Sequence, residues 1–357
     1  VRAEPALPSR TPADVSPQPA ADLDVTEFDL IARIRRRAGQ RADVALGIGD
    51  DAALLRPPSG QALAVATDTL NEGVHFLRDA APADIGFKAL AVNLSDLAAM
   101  AAEPAWCTLS LSLPGPDPAW LDAFLDGFLM LAGQHRVALV GGDTTRGPLS
   151  LSVTVLGFVP EAQSPRRAGA QVGDDLWVTG TLGDAALALA DSSNDPVANA
   201  PVGSADSHAE SDTDYLQQRL HRPTPRVAAG LALRGLAKAM IDVSDGLLAD
   251  LGHILEESGV GAELAIEALP ASPALAARVQ DEARWRLQLA GGDDYELCFS
   301  AAADRRAEIA SALRACDLPV ARIGRIVAGS GLRALAPDGR DWRPDHAGYN
   351  HFPGTPS

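Results

Sequence analysis

Short apolar runs alternate with turns and amphipathic stretches along most of this chain, so strands and helices are expected to be mixed throughout. Thr26-Glu27-Phe28-Asp29 opens a helix, with Thr26 as its cap and Phe28, Ile31 and Ile34 on one face. Arg35-Arg36-Arg37 continues it as a solvated cationic end favoured by the helix dipole. Val44–Leu46 and Leu63–Thr67 read as strands, separated by a turn at Pro57-Pro58-Ser59-Gly60. Phe87, Leu90, Leu94 and Leu97 recur at three- and four-residue spacing and predict a helix over Asp84–Met100, on which Asn93 and Asp96 share a face. Trp106–Leu113 alternates as a strand. Pro118–Gln134 is a second amphipathic helix carrying Leu121, Phe124, Leu125 and Phe128. Val137–Val140 and Leu149–Phe158 are strands flanking a Gly-Gly-Asp turn.

The second half repeats the mixture. Strands are expected at Asp175–Val178, Met240–Val243, Ala262–Ile266, Tyr295–Ser300 and Val320–Ile326. Helices are expected from Asp184 to Ala190, over Pro225–Lys238, and over Asp245–Ser258, with a turn at Gly180–Gly183. This predicts an α+β (mixed α/β) chain of two domains, 25–160 and 161–357, dividing near Phe158–Gly169. Residues 1–24 and 191–213 are rich in Pro, Ser, Asp and Ala; the first reads as a disordered tail and the second as a flexible insertion.

Composition narrows the function classes. The 357 residues hold 30 Lys plus Arg against 47 Asp plus Glu, a formal charge of −17, which argues against a general nucleic-acid binder. Lys88 and Lys238 are the only lysines. Cys107, Cys298 and Cys316 form no CxxC pair, which disfavours zinc or a disulfide framework and fits a reducing cytoplasm. No run is long and apolar enough for a membrane span, and the N-terminal stretch lacks the apolar region of a secretion signal.

The chemistry is carried by acids at the ends of apolar runs: Gly47-Ile48-Gly49-Asp50-Asp51, Thr67-Asp68-Thr69, Gly141-Gly142-Asp143-Thr144-Thr145, Ile241-Asp242-Val243-Ser244-Asp245 and Gly291-Gly292-Asp293-Asp294-Tyr295-Glu296. Any one such Asp is best read as a turn acid. Five such segments are harder to dismiss. Two carboxylates about 4 Å apart repel by roughly 4 kcal/mol at an effective dielectric near 20, so a cluster needs cations or holds protons. Hard oxygen ligands without His or Cys favour Mg²⁺, which usually bridges to substrate phosphates and points to phosphoryl chemistry.

Alternation sends Asp50 and Asp51 to opposite faces, so one of the two enters a site; Asp242 and Ser244 share a face. The Asn93–Asp96 stripe is either functional or a satisfied buried pair. His75 is a lone histidine in a Gly-containing loop, structural or functional. The aromatic tail around Tyr349 and His351 either closes a core or offers a stacking surface. Gly47-x-Gly49-x-x-Ala52 matches a dinucleotide fingerprint, but Pro57-Pro58 follows too soon for the helix that motif requires. A P-loop is excluded because neither lysine follows a glycine.

Taken together, GIGDDAALL (47–55), TDTLNEGVHF (67–76), KALAVNLSDLAAM (88–100), GGDTTRGPLS (141–150), IDVSDGLLADLGHI (241–254), GGDDYELCF (291–299) and GYNHF (348–352) resemble the thiamine-monophosphate kinases. That family lies in a superfamily of two-domain ATP-binding proteins with aminoimidazole ribonucleotide synthetase and selenophosphate synthetase. The resemblance implies ATP-dependent phosphorylation of thiamine monophosphate to thiamine diphosphate. It also implies a homodimer whose N-terminal strands pair across the interface, with ATP and several Mg²⁺ at the domain cleft. It further implies that Asp51, Thr67, Asp68, Asp96, Asp143, Asp242 and Asp245 bind metal, that Gly142, Asp143, Arg167 and Ser244 bind ATP, and that His75, Asp293 and Tyr349 contact the thiamine phosphate. Of these, Asp51 selects one member of the first acid pair. Members of the family often carry Glu where this chain has Asp293, and no Cys precedes Cys107, which weighs against a selenophosphate synthetase.

Overall fold

The computed structural model describes residues 25–193 and 209–344, with His346, Gly348, Tyr349 and His351. The expected 1–24 tail and positions 194–208 of the expected insertion lie outside the described residues. The first half runs α1 (Glu27–Arg37), β1 (Val44–Leu46), β2 (Leu54–Leu55), β3 (Ala62–Asn71), α2 (Pro82–Ala99), β4 (Glu103–Leu113), α3 (Pro118–Gln134), β5 (Ala138–Arg146) and β6 (Ser150–Val159). Helix α1 starts in a capping box: the Thr26 hydroxyl accepts from the Asp29 N–H, and the Asp29 carboxylate accepts from the Thr26 N–H. Its buried residues are Leu30 and Ile34, while Phe28 is 77% exposed. The expected inward face was rotated, because Arg33 and Arg37 pair with Asp122 and Asp126 of α3 and set how α1 docks.

Strands β3, β6, β4 and β5 form a four-stranded sheet in that order, with β4 and β5 parallel and the other pairs antiparallel. Gly141–Thr145 is not a turn but the middle of β5, and the chain reverses after Arg146 instead. Gly142 is required there by a close approach: at its φ of +156° a Cβ would lie 1.8 Å from the Leu109 carbonyl oxygen of β4.

The second half contains β7 (Asp175–Thr179), α4 (Asp184–Ser193), α5 (Ala209–His221), α6 (Val227–Ala232), β8 (Ala239–Asp242), α7 (Leu247–Ser258), β9 (Gly261–Ala265), α8 (Pro273–Arg278), α9 (Asp281–Ala290), β10 (Leu297–Ala301), α10 (Arg306–Arg314), β11 (Val320–Val327), β12 (Gly331–Leu335) and β13 (Asp341–Trp342). Its seven strands pair in the order β13-β12-β9-β11-β7-β10-β8. The expected helix over Pro225–Lys238 reduces to α6, after which the chain turns through Gly235 at a φ of +69°. The 191–213 insertion is also narrower than expected, since α4 runs to Ser193 and α5 begins at Ala209.

Helix α2 joins the halves. Every residue from Ile85 to Ala99 is buried except Asp96. A helix apolar on all sides belongs inside a protein, and α2 packs on α3, β3 and β6 on one side and on α6 and β8 on the other. Glycines let α2 and α3 touch backbone to backbone: a Cβ on Gly86 would meet the Phe124 carbonyl oxygen at 2.0 Å, and one on Gly127 would meet the Ala83 carbonyl oxygen at 1.7 Å. One core cluster therefore runs from Leu30 and Phe124 through Leu94 to Phe299 and Leu313. Among the described residues no helix is long and apolar enough to cross a membrane.

Candidate active site in the cleft between the sheets

The edge of β3, one face of α2, helices α4 and α9, the Gly291–Asp293 turn and the C-terminal tail enclose a cavity of about 790 Å³. Sequence places its polar groups at two ends. On α2, Lys88 and Val92 line the cavity, and Asp96 continues the same every-fourth-residue stripe beyond the lining. Eight residues at 1.5 Å each separate Lys88 from Asp96 by about 12 Å along the helix.

The Asp96 end is acidic. Asp68 comes from β3 and Asp242 from the last position of β8. Burial, then the charges of Asp242 and Asp68, push Asp96 up to about 8, against a smaller opposing pull from Arg167. Burial also pushes Asp242 up to about 6, with the Asp68 charge adding to it. Asp68 is raised by burial and by Asp245. Asn93 is the satisfied buried group of its stripe: its side-chain oxygen accepts the Asp68 N–H at 2.9 Å and its amide donates to the Ala89 carbonyl at 2.8 Å.

After β8 the chain makes the turn Ser244-Asp245-Gly246, shaped by Asp250. The Asp250 carboxylate accepts the N–H groups of Ser244, Asp245 and Gly246 at 2.9, 3.1 and 3.2 Å. Burial and the Asp242 charge nonetheless push it up to about 7. The Gly291–Asp293 turn and the C-terminal tail are both laced to this one, because the Asp293 N–H donates to the Ser244 carbonyl and the Tyr349 N–H to the Asp245 carbonyl.

At the Lys88 end, the Lys88 ammonium lies 3.0 Å from one Asp293 carboxylate oxygen, and the Tyr295 hydroxyl donates to the other at 2.9 Å. Asp293 and Tyr295 sit at φ +66° and +51°, a left-handed conformation that is costly for tyrosine. A buried network beneath holds them. Arg219 donates to Glu296 and to the Asp294 carbonyl, while Arg226 and the Thr179 hydroxyl also donate to Glu296. Opposite, the Nδ1 of His75 accepts the Asn71 N–H at 3.0 Å, so that ring is neutral with its proton on Nε2. Burial, then the ring of His351, lower the His75 pKa. His351 stands between His75 and Tyr349, with ring centroids 5.1 and 4.9 Å away.

The structure thus brings Asp68, Asp245, Ser244, His75, Asp293 and Tyr349 to the lining of one cleft. Asp96 and Asp242 are outside that lining but within electrostatic reach of Asp68, with Arg167 exposed and acting on both. Thr67 lines the cleft, but its hydroxyl turns to the other face of the sheet and pairs with Thr154 at 2.8 Å. Asp143 is not brought in. It lies on β5, three strands and about 14 Å from β3, in register with Ser110 of β4, and its side chain follows the outward row of Ser110, Ser152 and Thr69. Gly142 lies on the same far strand. Asp51 is exposed in the loop after β1, also outside the cavity. Sequence reasoning assigned no role to Lys88, Asp250 and Tyr295, and left His351 between core closure and a stacking surface. The rarity of lysine and the recurrence of Lys88, Val92 and Asp96 were signals for the first; nothing local marks Asp250 or the φ of Tyr295.

Among the described residues no three His, Cys, Asp or Glu side chains stand close enough to hold a metal by themselves. The donor set still suits Mg²⁺. These are hard carboxylate oxygens whose ionisation is resisted by burial and by one another, which a divalent cation relieves, and Mg²⁺ takes only one or two carboxylates when phosphates supply the rest.

Two family models match the chain: AIR synthase related protein, N-terminal domain, over residues 49–159, and its C-terminal domain over residues 171–336. The fold and cleft therefore define a protein of the AIR synthase related class. The thiamine-monophosphate kinase of Salmonella typhimurium is 47% identical over 327 residues, 91% of this chain and 98% of that one. The crystal structure of thiamine-monophosphate kinase from Stenotrophomonas maltophilia superposes with a TM-score of 0.79 at 53% identity, covering 90% of this chain and 99% of that one. The structure of AaThiL complexed with AMPPCP and TMP gives a TM-score of 0.70 at 30% identity, covering 94% and 99%. This chain belongs to the thiamine-monophosphate kinase family.

Proposed function

We propose that this protein transfers the γ-phosphoryl group of ATP to the phosphate of thiamine monophosphate, giving thiamine diphosphate and ADP. The observation that carries this reading is the two-ended cleft, acids at one end of the α2 stripe and a cation with aromatic rings at the other, in a chain of this family. The acceptor is a phosphate monoester with a second pKa of about 6, mostly dianionic at pH 7. It needs no general base, and the task of the site is to bring two anions together in line. Asp68, Asp96, Asp242 and Asp245 are the groups that would hold Mg²⁺, which when bound supplies the charge neutralisation that phosphoryl transfer requires. Ser244 and Arg167 lie beside these acids and fit the nucleotide phosphates. His75, Asp293 and Tyr349 fit the thiamine end, where neutral or π-rich rings suit a cationic heterocycle. Asp51, Asp143, Thr67 and Gly142 complete the proposed metal and nucleotide sets on the resemblance alone.

An ADP-release assay with and without thiamine monophosphate, read beside phosphorus NMR of the product, tests this. ADP released only with the acceptor, and a diphosphate product, are expected. Orthophosphate with a cyclised product would indicate an amidine cyclo-ligase, and tight ATP binding without turnover a non-catalytic binder. We also infer a homodimer through the open face of the four-stranded sheet, where Leu63 and Val65 are 45% and 58% exposed beside an outward ladder of paired hydroxyls. Light scattering that returned the mass of one chain would refute it. The cytoplasm fits three cysteines that form no disulfide.

A further inference from the structure

Lys88 is buried to 3% exposure on α2, yet its ammonium reaches the cavity and stands 3.0 Å from the Asp293 carboxylate. An aliphatic stem threaded through a core with its charge delivered into a cleft is costly unless the charge is paired. The pair is lopsided, because Asp293 has a second donor in the Tyr295 hydroxyl, while among the described residues Lys88 pairs with no second carboxylate. Among the described residues, the carboxylic, ammonium and guanidinium side chains lining this cavity are Asp68, Asp245 and Asp293 against Lys88 and Arg286. Cations bound at the Asp96 end lie two helical turns away along α2, so they offset charge at the His75–Asp293 end less than a cation in direct contact does. An acceptor phosphate arriving there meets the Asp293 carboxylate first unless a fixed cation offsets it.

We propose that Lys88 is a ligand of the acceptor phosphate, and that Asp293 holds its ammonium in the cleft until that phosphate replaces it. This rests on the reaction proposed above. Asp293, released from Lys88 and still held by Tyr295, then faces the cationic heterocycle, so one ion pair is exchanged for two. The site thereby distinguishes thiamine monophosphate from thiamine, which carries the heterocycle but cannot turn Lys88 away from Asp293.

Kinetics of wild type, Lys88→Met and Lys88→Arg decide it, with thiamine monophosphate and Mg·ATP varied separately and thiamine as a competitive inhibitor. A charged hydrogen bond lost from the substrate corresponds to a rise of roughly 10- to 150-fold in KM for thiamine monophosphate in Lys88→Met. KM for ATP and the inhibition constant of thiamine stay within about twofold, and Lys88→Arg recovers part of the loss. An unchanged KM for thiamine monophosphate, or an equal loss of thiamine affinity, would overturn the proposal. Should Lys88→Met not fold, Asp293→Asn is the second test: freeing the ammonium tightens inhibition by inorganic phosphate, and unchanged or weaker phosphate inhibition overturns it. Wild type that fails to phosphorylate thiamine monophosphate would instead refute the proposed reaction.

Discussion

Removing Arg219 tests whether the buried network under the Gly291–Asp293 turn is charge-balanced. Arg219 lies 3.0 Å from Glu296, 3.1 Å from the Asp294 carbonyl and 3.8 Å from Asp184, with its side chain 9% exposed. Burial raises Asp294 well above the usual carboxylate range, and the ion pairs of the network join Arg219 and Arg226 to Glu296, and Arg219 to Asp184. Arg219→Met leaves one cation for two buried anions, and Glu296→Gln leaves two cations for one. Breaking a buried pair from one side costs about 3–5 kcal/mol. In the double variant Arg226 and Asp184 remain, one of each sign, so the two losses should not add; we expect a coupling of about 2 kcal/mol or more. Urea unfolding of the four proteins at pH 7.5 measures it. Losses that sum to within about 0.5 kcal/mol would refute the balance argument. Because Arg219 also grips the Asp294 carbonyl between the left-handed Asp293 and Tyr295, Arg219→Met should raise KM for thiamine monophosphate more than KM for ATP.

Further outcomes follow from the same geometry. In metal-free protein, Asp96 at about 8 and Asp242 at about 6, both raised from 3.8, keep protons that the unfolded chain has released. Their contribution is whole at about pH 4 and is lost as pH rises through about 6 to 8; unfolding midpoints should fall over that window, and Mg²⁺ or Asp96→Asn should flatten the fall. Asp68→Asn, at the cleft, should cut turnover about 100-fold or more, and so should Asp51→Asn, which the resemblance puts in the metal set. Near-normal turnover of Asp51→Asn at saturating Mg²⁺ would remove it from the metal set. Gly127→Ala forces a Cβ to within 1.7 Å of the Ala83 carbonyl oxygen, so α2 and α3 must separate; a loss of about 1–3 kcal/mol in urea unfolding is expected, and an unchanged midpoint would refute the backbone contact.

Local pattern alone determined much of this protein. The Thr26 cap, the limits of α3, and the strand carrying Asp242 follow from periodicity and capping, which depend on neighbours a few residues apart, whereas the expected Leu63–Thr67 strand stopped short of Asp68, which lies within β3. The acidic motifs in order were enough to indicate the family. Other features were decided only by packing. The side of α1 that turns inward depends on ion pairs to α3, and Gly141–Thr145 is strand because β4 lies alongside it. Which acids meet is a matter of register: Asp68 and Asp143 belong to strands at opposite edges of one sheet, while Asp96 and Asp242 meet from separate halves. The Gly47–Asp51 motif stands out most in the sequence, yet the cleft is built on α2, whose role follows from burial on all sides. Burial and charge proximity are sums over residues distant in the chain, so tertiary structure alone could place Lys88 against Asp293 and three N–H groups on Asp250.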